Sequence, residues 1–374
     1  MRLYSKIQIH LPLQGLLRRL PAEDPKQVLI LCDDALGDLL MMSGITKQLK
    51  VQGYSSTLVV RDTWQDIAQL MEGVSRVIAV NLKQYKSSLR YRIHILNQIR
   101  NVHYHWAAAS IFPSTVNADL LTYCGATQRY ACRWDNSWHE KRRTSGATCK
   151  LSMIPTKINK YVRTDILDLL AHYYSGILHK PVHKESIQPA LSSTLVEPPQ
   201  FIEEKYLLYI SDTMSGCRRY PCEQLLSVLL PYAQENHLKI VVTAKEANPH
   251  LLQHPAVINL TGKTTLYELW QLIYHAQLVV GNETGSTHLA WICGKRTIMI
   301  YGGGHYGLFR PAEPCQLVYH PMACYGCEWD TCPHGMDNPA PCILAITPAQ
   351  IEQALRNEKA GLATHTPFET EFSF

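Results

Sequence analysis

The chain has 374 residues, 46% of them hydrophobic and 18% charged, with a formal net charge of +5. That length suits two domains of roughly 150 to 200 residues better than one. The mild positive charge fits an anionic small molecule or an anionic membrane surface, while the lack of a Lys/Arg-dense stripe argues against nucleic acid as a partner.

The first segment, residues 1–25, is basic and leucine-containing. Its apolar part is broken by Gln8, His10, Pro12 and Gln14, and no small-residue cleavage site follows. It reads as an N-terminal arm rather than a signal peptide, with contact to a membrane surface as the alternative. No stretch approaches the ~20 uninterrupted apolar residues of a membrane span. Of twelve cysteines, eight are scattered singly, mostly in apolar segments such as "LILCDD" and "LAWICGK". They read as reduced, buried thiols, which places the chain in the cytoplasm, at most peripheral on the inner face of the membrane.

From residue 26 to 188 short apolar runs alternate with helical patterns. "QVLILCDD", "SSTLVVRD", "SRVIAVN" and "HWAAASIFP" predict strands, and "LLMMSGITKQLKVQG", "TWQDIAQLMEG" and "YRIHILNQIRNV" predict helices. Near-continuous apolar strands separated by helices of this length indicate parallel βαβ units with both sheet faces covered. Tyr130 to Lys160 is polar, basic and aperiodic and reads as a long excursion or loop; "RTDILDLLAHYYSGIL" then restores a helix. Residues 189–200, with Pro189, Pro198 and Pro199, form the best linker candidate.

A second alternating series fills residues 201–355, with a tail over 356–374. "KYLLYISD", "LKIVVTAKE", "QLVVGNETG" and "RTIMIYGGG" predict strands. "CEQLLSVLLPYAQEN", "TLYELWQLIYHA" and "HLAWICGK" predict helices. Two doubly wound halves of this kind make a two-lobed α/β architecture whose ligands bind outside the carboxyl ends of the strands.

Five stretches carry candidate chemistry. In "VLILCDDALGDLLMM" the first strand turns through Asp33 and Asp34 and reaches Asp38 at a helix start. Met42, Ile45 and Leu49 follow at helical spacing, so Asp38 belongs to the first turn, as a cap or as a reactive carboxylate. In "ISDTMSGCRRYP" a strand runs into hydroxyls at Ser211, Thr213 and Ser215, then Gly216, Arg218 and Arg219. This is either a diphosphate cradle or an ordinary polar loop. "VVGNETGSTHLAWICGK" places Glu283 where a strand end meets a helix start, ready to accept from sugar hydroxyls. Thr284, Gly285 and Ser286 supply donors at the positive end of that helix, and His288 reads as a phosphate contact or a satisfied interior histidine.

The glycine triplet of "IMIYGGGHYGLFRP", with Gly303 at its centre, lets backbone approach a ligand closely. Its formal G-x-G-x-x-G match (Gly302, Gly304, Gly307) is poorly placed, because Arg310 and Pro311 follow at once and no helix opens. "TGKTT" lacks the first glycine of a Walker motif, and Thr265 with Glu268 makes a capping box instead. Last, Cys324, Cys327, Cys332 and Cys342 have C-x2-C-x4-C-x9-C spacing with His334 nearby. That cluster reads as a structural zinc site, as reduced thiols, or as disulfides.

Taken together, these stretches resemble glycosyltransferase family nine, the ADP-heptose:lipopolysaccharide heptosyltransferases and their relatives. "ALGDLLMMSGITKQLK" is similar to the family's first motif. Glu283 through Ala290 is similar to its Asp-Thr-Gly…His-Leu-Ala signature, and Arg218 before Tyr220-Pro221 to its basic residue before an aromatic-Pro pair. The resemblance implies a GT-B fold, an α/β chain of two Rossmann-like lobes facing a central cleft. The first lobe would take the acceptor and the second the nucleotide sugar. It further implies an inverting, metal-independent transfer from a nucleotide-diphosphate sugar to a lipid-linked or lipopolysaccharide-type glycan. Asp38 matches the catalytic base. Thr213, Ser215, Arg218, Glu283, Thr284, Gly285, Ser286, His288 and Gly303 would bind the donor. Glu283 departs from the family's Asp, and Tyr220 from its Trp. A GT-B-type sugar epimerase and a non-catalytic, zinc-binding cysteine-cluster scaffold are the competing expectations. The basic stretch Lys141 to Lys150 and the N-terminal arm are the expected contacts with an anionic lipid-linked glycan.

Overall fold

The computed structural model describes residues 13–112, 114–134, 152–156, 165–192, 196–199, 202–327 and 332–357. The chain divides into two units, the first ending at Ser192 and the second starting at Ser193.

The first unit is built on six parallel strands: β1 (Glu23–Cys32), β2 (Ser55–Arg61), β3 (Val74–Val80), β4 (His103–Ala109), β5 (Gln128–Trp134) and β6 (Ser152–Thr156). They lie in the order β3-β2-β1-β4-β5-β6. The central strands are apolar throughout their inner halves because helices cover both faces; Val28, Leu29, Ile30 and Leu31 are all fully buried. The helix Leu36–Val51 follows β1, and it is buried on most of its circumference rather than along one stripe. Met42, Ile45 and Leu49 are buried as their spacing predicts.

Two expectations change here. The arm expected over residues 1–25 gives way to packed chain well before its end. Leu13 is buried in the first core and β1 starts at Glu23; residues 1–12 lie outside the described residues. The excursion expected from Tyr130 to Lys160 contains β5 and β6. Periodicity failed there because these are the outer strands of the sheet: among the described residues β6 pairs only with β5, and it carries Pro155 opposite Arg133. A proline without a backbone N–H is tolerated on an edge, and it masks the strand signal. The stretch Lys141 to Lys150 lies outside the described residues.

The second unit repeats the plan with β7 (Tyr206–Ile210), β8 (Lys239–Thr243), β9 (Val257–Asn259), β10 (Leu278–Asn282), β11 (Thr297–Ile300) and β12 (Cys315–Val318). Its order is β12-β11-β10-β7-β8-β9. Counted from each unit's own first strand, both sheets therefore run 3-2-1-4-5-6. In such a sheet the chain leaves the two central strands in opposite directions, and their loops part to leave a crevice at the carboxyl ends. The two crevices lie beyond β1 and β4 and beyond β7 and β10, where the sequence placed its candidates. Strands β9 and β12 are too short, and too polar in part, to have been predicted. Among the described residues no helix is long and apolar enough to cross a membrane.

Candidate active site

In the second unit the loop after β7 is fixed from the end of β10. Asn282 is fully buried; its Nδ2 donates to the Ser211 carbonyl at 2.9 Å, and its Oδ1 accepts from the Tyr220 N–H at 2.9 Å. One amide thus clamps both ends of the loop that carries Arg218. Tyr220 is an anchor: it is fully buried, and its hydroxyl donates to the Ile346 carbonyl at 3.0 Å. Gly281 permits the close packing, since a Cβ there would meet Thr287 Oγ1 at 2.6 Å and Ile210 Cβ at 3.0 Å.

The centre of this crevice is Glu283, only 3% exposed. Its Oε2 accepts from Arg218 Nη1 at 2.7 Å and lies 2.9 Å from His305 Nδ1, while Oε1 lies 3.0 Å from His288 Nε2. Burial alone would raise the Glu283 pKa. The closeness of His305 and Arg218 and the hydrogen bonds from the two imidazoles outweigh it and hold the carboxyl well below its usual range. Three groups thus converge on one buried carboxylate, two of them on Oε2 and one on Oε1. It is the counter-ion of Arg218. His288 is 1% exposed; its ring packs 4.8 Å from the Phe309 ring, and its Nδ1 has no hydrogen-bond partner among the described residues.

Beside this cluster the helix Gly285–Ile292 begins, with Thr284 as its N-cap and no side-chain cap. Its first free amides, at Gly285 and Ser286, point out of the helix end and make no hydrogen bond among the described residues. Arg218, 17% exposed, and these amides make an anion-attracting surface. Thr213 lies in the loop with its hydroxyl unpartnered among the described residues. Ser215 does not: its hydroxyl donates to the Met336 carbonyl at 3.2 Å and sits 3.1 Å from Cys217 Sγ. Gly303 is buried and packs against Tyr325 and Gly326, so its lack of a side chain serves chain packing first.

The cysteine-bearing segment packs on the same loop. Cys217 N–H donates to the Met336 carbonyl and Ala340 N–H to the Cys217 carbonyl, both at 2.9 Å. Cys217, Cys327, Cys332 and Cys342 line one small pocket with Arg218 and the glycine triplet, whereas Cys324 turns toward His334, at 3.6 Å. All are free thiols. Among the described residues no group of three or more His, Cys, Asp or Glu side chains is arranged to hold a metal ion. Of the four cysteines expected to form a zinc site, Cys327, Cys332 and Cys342 share this pocket with Cys217, and Cys324 lies beside His334. Burial and neighbouring thiols push Cys327 up to about 11.

Gly216 makes this packing possible, because an added Cβ would overlap the carbonyl of Asp337. Gly216→Ala should therefore cost about 1 to 3 kcal/mol, as overpacking against backbone does. It should also speed alkylation of the otherwise buried Cys217. A thermal scan with timed thiol labelling checks both, and unchanged labelling with an unchanged Tm would refute the account.

In the first unit the crevice holds three carboxylates. Asp33 is 6% exposed; its Oδ2 accepts from Ser114 Oγ at 2.6 Å, and Oδ1 has no hydrogen-bond partner among the described residues. Ser114, across the switch point beyond β4, also caps the helix Thr115–Tyr123. The Asp33 and Asp34 carbonyls accept from Arg61 Nε and Trp64 Nε1. Burial raises the Asp33 pKa, and burial with the charges of Asp38 and Asp33 raises that of Asp34 well above the usual range. Ala35 is the N-cap of the following helix, and Asp38, half-buried, lies within its first turn. The capping alternative for Asp38 thus recedes.

Residues 164–333 match the family model described as glycosyltransferase family 9 (heptosyltransferase). Two curated relatives are both lipooligosaccharide heptosyltransferase 2 of Campylobacter jejuni. One, from serotype O:2, is 26% identical over 132 residues, 32% of this chain and 41% of the relative. The other, from serotype O:6, is 21% identical over 313 residues, 80% of this chain and 89% of the relative. Among solved structures, ADP-heptose lps heptosyltransferase II of E. coli superposes with a TM-score of 0.66 at 15% identity, covering 88% of this chain and 97% of its own. E. coli heptosyltransferase WaaC with ADP-2-deoxy-2-fluoro heptose gives 0.63 at 16%, covering 87% and 98%.

Proposed function

Because the chain has the GT-B fold and carries a glycosyltransferase family 9 domain over residues 164–333, we propose that it transfers heptose or a related sugar from a nucleotide-diphosphate donor to a lipooligosaccharide-type surface glycan. The observation that carries this is the second unit's crevice, where buried Glu283 holds Arg218 beside the open amides of Gly285 and Ser286. That arrangement suits a diphosphate. It binds the donor and stabilises the charge that gathers on the leaving group as the anomeric C–O bond breaks. Arg218, Thr213, Thr284, Gly285 and Ser286 are the donor ligands in this reading, with Glu283 and His288 behind them; Ser215 and Gly303 shape the loop.

Asp38 is the base. It takes the proton of the acceptor hydroxyl as that oxygen forms the new bond to the anomeric carbon on the face opposite the diphosphate, inverting its configuration. Arg218 and the helix amides meet the diphosphate charge, so the transfer is assigned no cofactor. The acceptor is lipid-linked, and we place the reaction at the inner face of the cytoplasmic membrane, with peripheral contact favoured by the chain's net positive charge.

The test is a panel of nucleotide-diphosphate sugars against the purified protein. An ADP-linked heptose at about 100 times its Kd should stabilise the fold by about 2.7 kcal/mol, and adding a truncated lipooligosaccharide should release the nucleoside diphosphate. A donor altered without acceptor would point to epimerisation instead, and a panel without any stabilisation would sink the assignment.

A further inference from the structure

His305 enters the Glu283 cluster from a third strand end, closing the short turn Gly303–His305 after β11. We propose that His305 is a second ligand of the donor's diphosphate, presenting its Nε2–H beside Arg218. The inference rests on the donor-site reading and adds to it a residue that no local motif marks.

One ring nitrogen of His305 has two polar neighbours. His305 Nδ1 lies 2.9 Å from Glu283 Oε2 and 3.0 Å from Arg218 Nη1. To bond the carboxylate it must carry a proton; to bond the guanidinium it must offer a lone pair. It cannot do both at once. When Nδ1 accepts from Arg218, the neutral ring carries its proton on Nε2. When Nδ1 donates to Glu283, Nε2 is bare in the neutral ring and protonated in the imidazolium. An anion at Nε2 selects the forms in which that nitrogen is a donor, and the two neighbours of Nδ1 accommodate either of them.

Geometry leaves Nε2 available for this. It makes no hydrogen bond among the described residues, and it is not among the buried polar atoms that lack a partner, as His288 Nδ1 is. The His305 side chain keeps 15% of its surface exposed, close to Arg218 at 17%. The ring is also held in place. Phe309 packs edge-on at 5.6 Å, and the Tyr301 hydroxyl bridges the carbonyls of His305 and Phe309 at 2.5 and 2.8 Å. A donor group so fixed loses little entropy on binding. The ligand class follows from charge: Arg218 is already balanced by Glu283, so a ligand with two or more negative charges can use a second cationic or N–H donor. A neutral sugar hydroxyl has no such demand.

Two amide variants separate ligand from scaffold. In His305→Asn the amide nitrogen falls near Nδ1 and nothing reaches the Nε2 position; in His305→Gln the amide nitrogen reaches the Nε2 position. Titration calorimetry with ADP and AMP, alongside thermal scans, reads the outcome. His305→Asn should weaken ADP about 10- to 100-fold, the loss of one hydrogen bond to a charged group. Its AMP affinity and Tm should change far less, and His305→Gln should recover most of the ADP affinity. His305→Asn binding ADP like the parent, or both variants losing affinity together with their thermal stability, would overturn the ligand role. If the parent protein itself bound neither ADP nor any other nucleoside diphosphate, the donor site would fall and this inference with it. Failure in the variants alone removes only His305.

Discussion

Asp38→Asn lowers turnover by about 10²- to 10⁴-fold while donor affinity stays within a few-fold of the parent protein. The first figure is the usual contribution of a positioned general base. The second follows from Asp38 lying in the first unit, in the first turn of the helix Leu36–Val51, whereas the proposed donor ligands belong to the second. Asn is nearly isosteric and keeps the helix start, because the N-cap is Ala35 and not Asp38. Its effect should therefore fall on kcat and leave the Tm almost unchanged. Initial rates against acceptor concentration, with calorimetric binding of ADP, distinguish the cases. Equal rates for both proteins remove Asp38 from the chemistry, and equal losses of rate and donor affinity mean the substitution acted on folding.

What was legible beforehand was what is local or repetitive. The alternation of strands and helices marked four strands of each sheet, since buried parallel strands have to be apolar on both faces. The capping box at Thr265 and Glu268 was readable because its partners lie three residues apart, and it forms as expected. The remainder depends on residues distant in sequence. Asn282 clamps Ser211 and Tyr220, and nothing about an asparagine at a strand end announces partners more than sixty positions away. His305 looks like a polar residue in a glycine turn until β7 and β10 bring Arg218 and Glu283 to it. Ser215 read as a donor-loop hydroxyl, but its bond goes to Met336, which only the folded cysteine segment supplies. Glu283 is placed at the crevice by its motif, but its pairing with Arg218, His288 and His305 depends on residues that no motif brings together.

Glu283→Gln should lower the stability of the second unit by about 3 to 5 kcal/mol, nearer the lower figure because Arg218 keeps some contact with water. The reason is asymmetry: the substitution removes the carboxylate charge that Arg218 meets at 2.7 Å and leaves the guanidinium in place. At roughly 2 to 4 °C per kcal/mol for a unit of this size, the Tm should fall by about 6 °C or more. The pH dependence identifies the cause. Glu283 has a folded pKa well below the ordinary 4.5, so the folded state binds its proton less readily than the unfolded one. Its contribution is then complete above the unfolded value and is lost as pH falls through the folded one. Parent and variant should differ by a constant Tm gap from about pH 6 to 8, and the gap should close progressively below about pH 4, because Gln has no proton to gain. Thermal scans of both proteins over that range decide the matter. A gap that persists unchanged into acid would mean that Glu283 contributes shape and hydrogen bonds, and that its charge does not hold Arg218 in place.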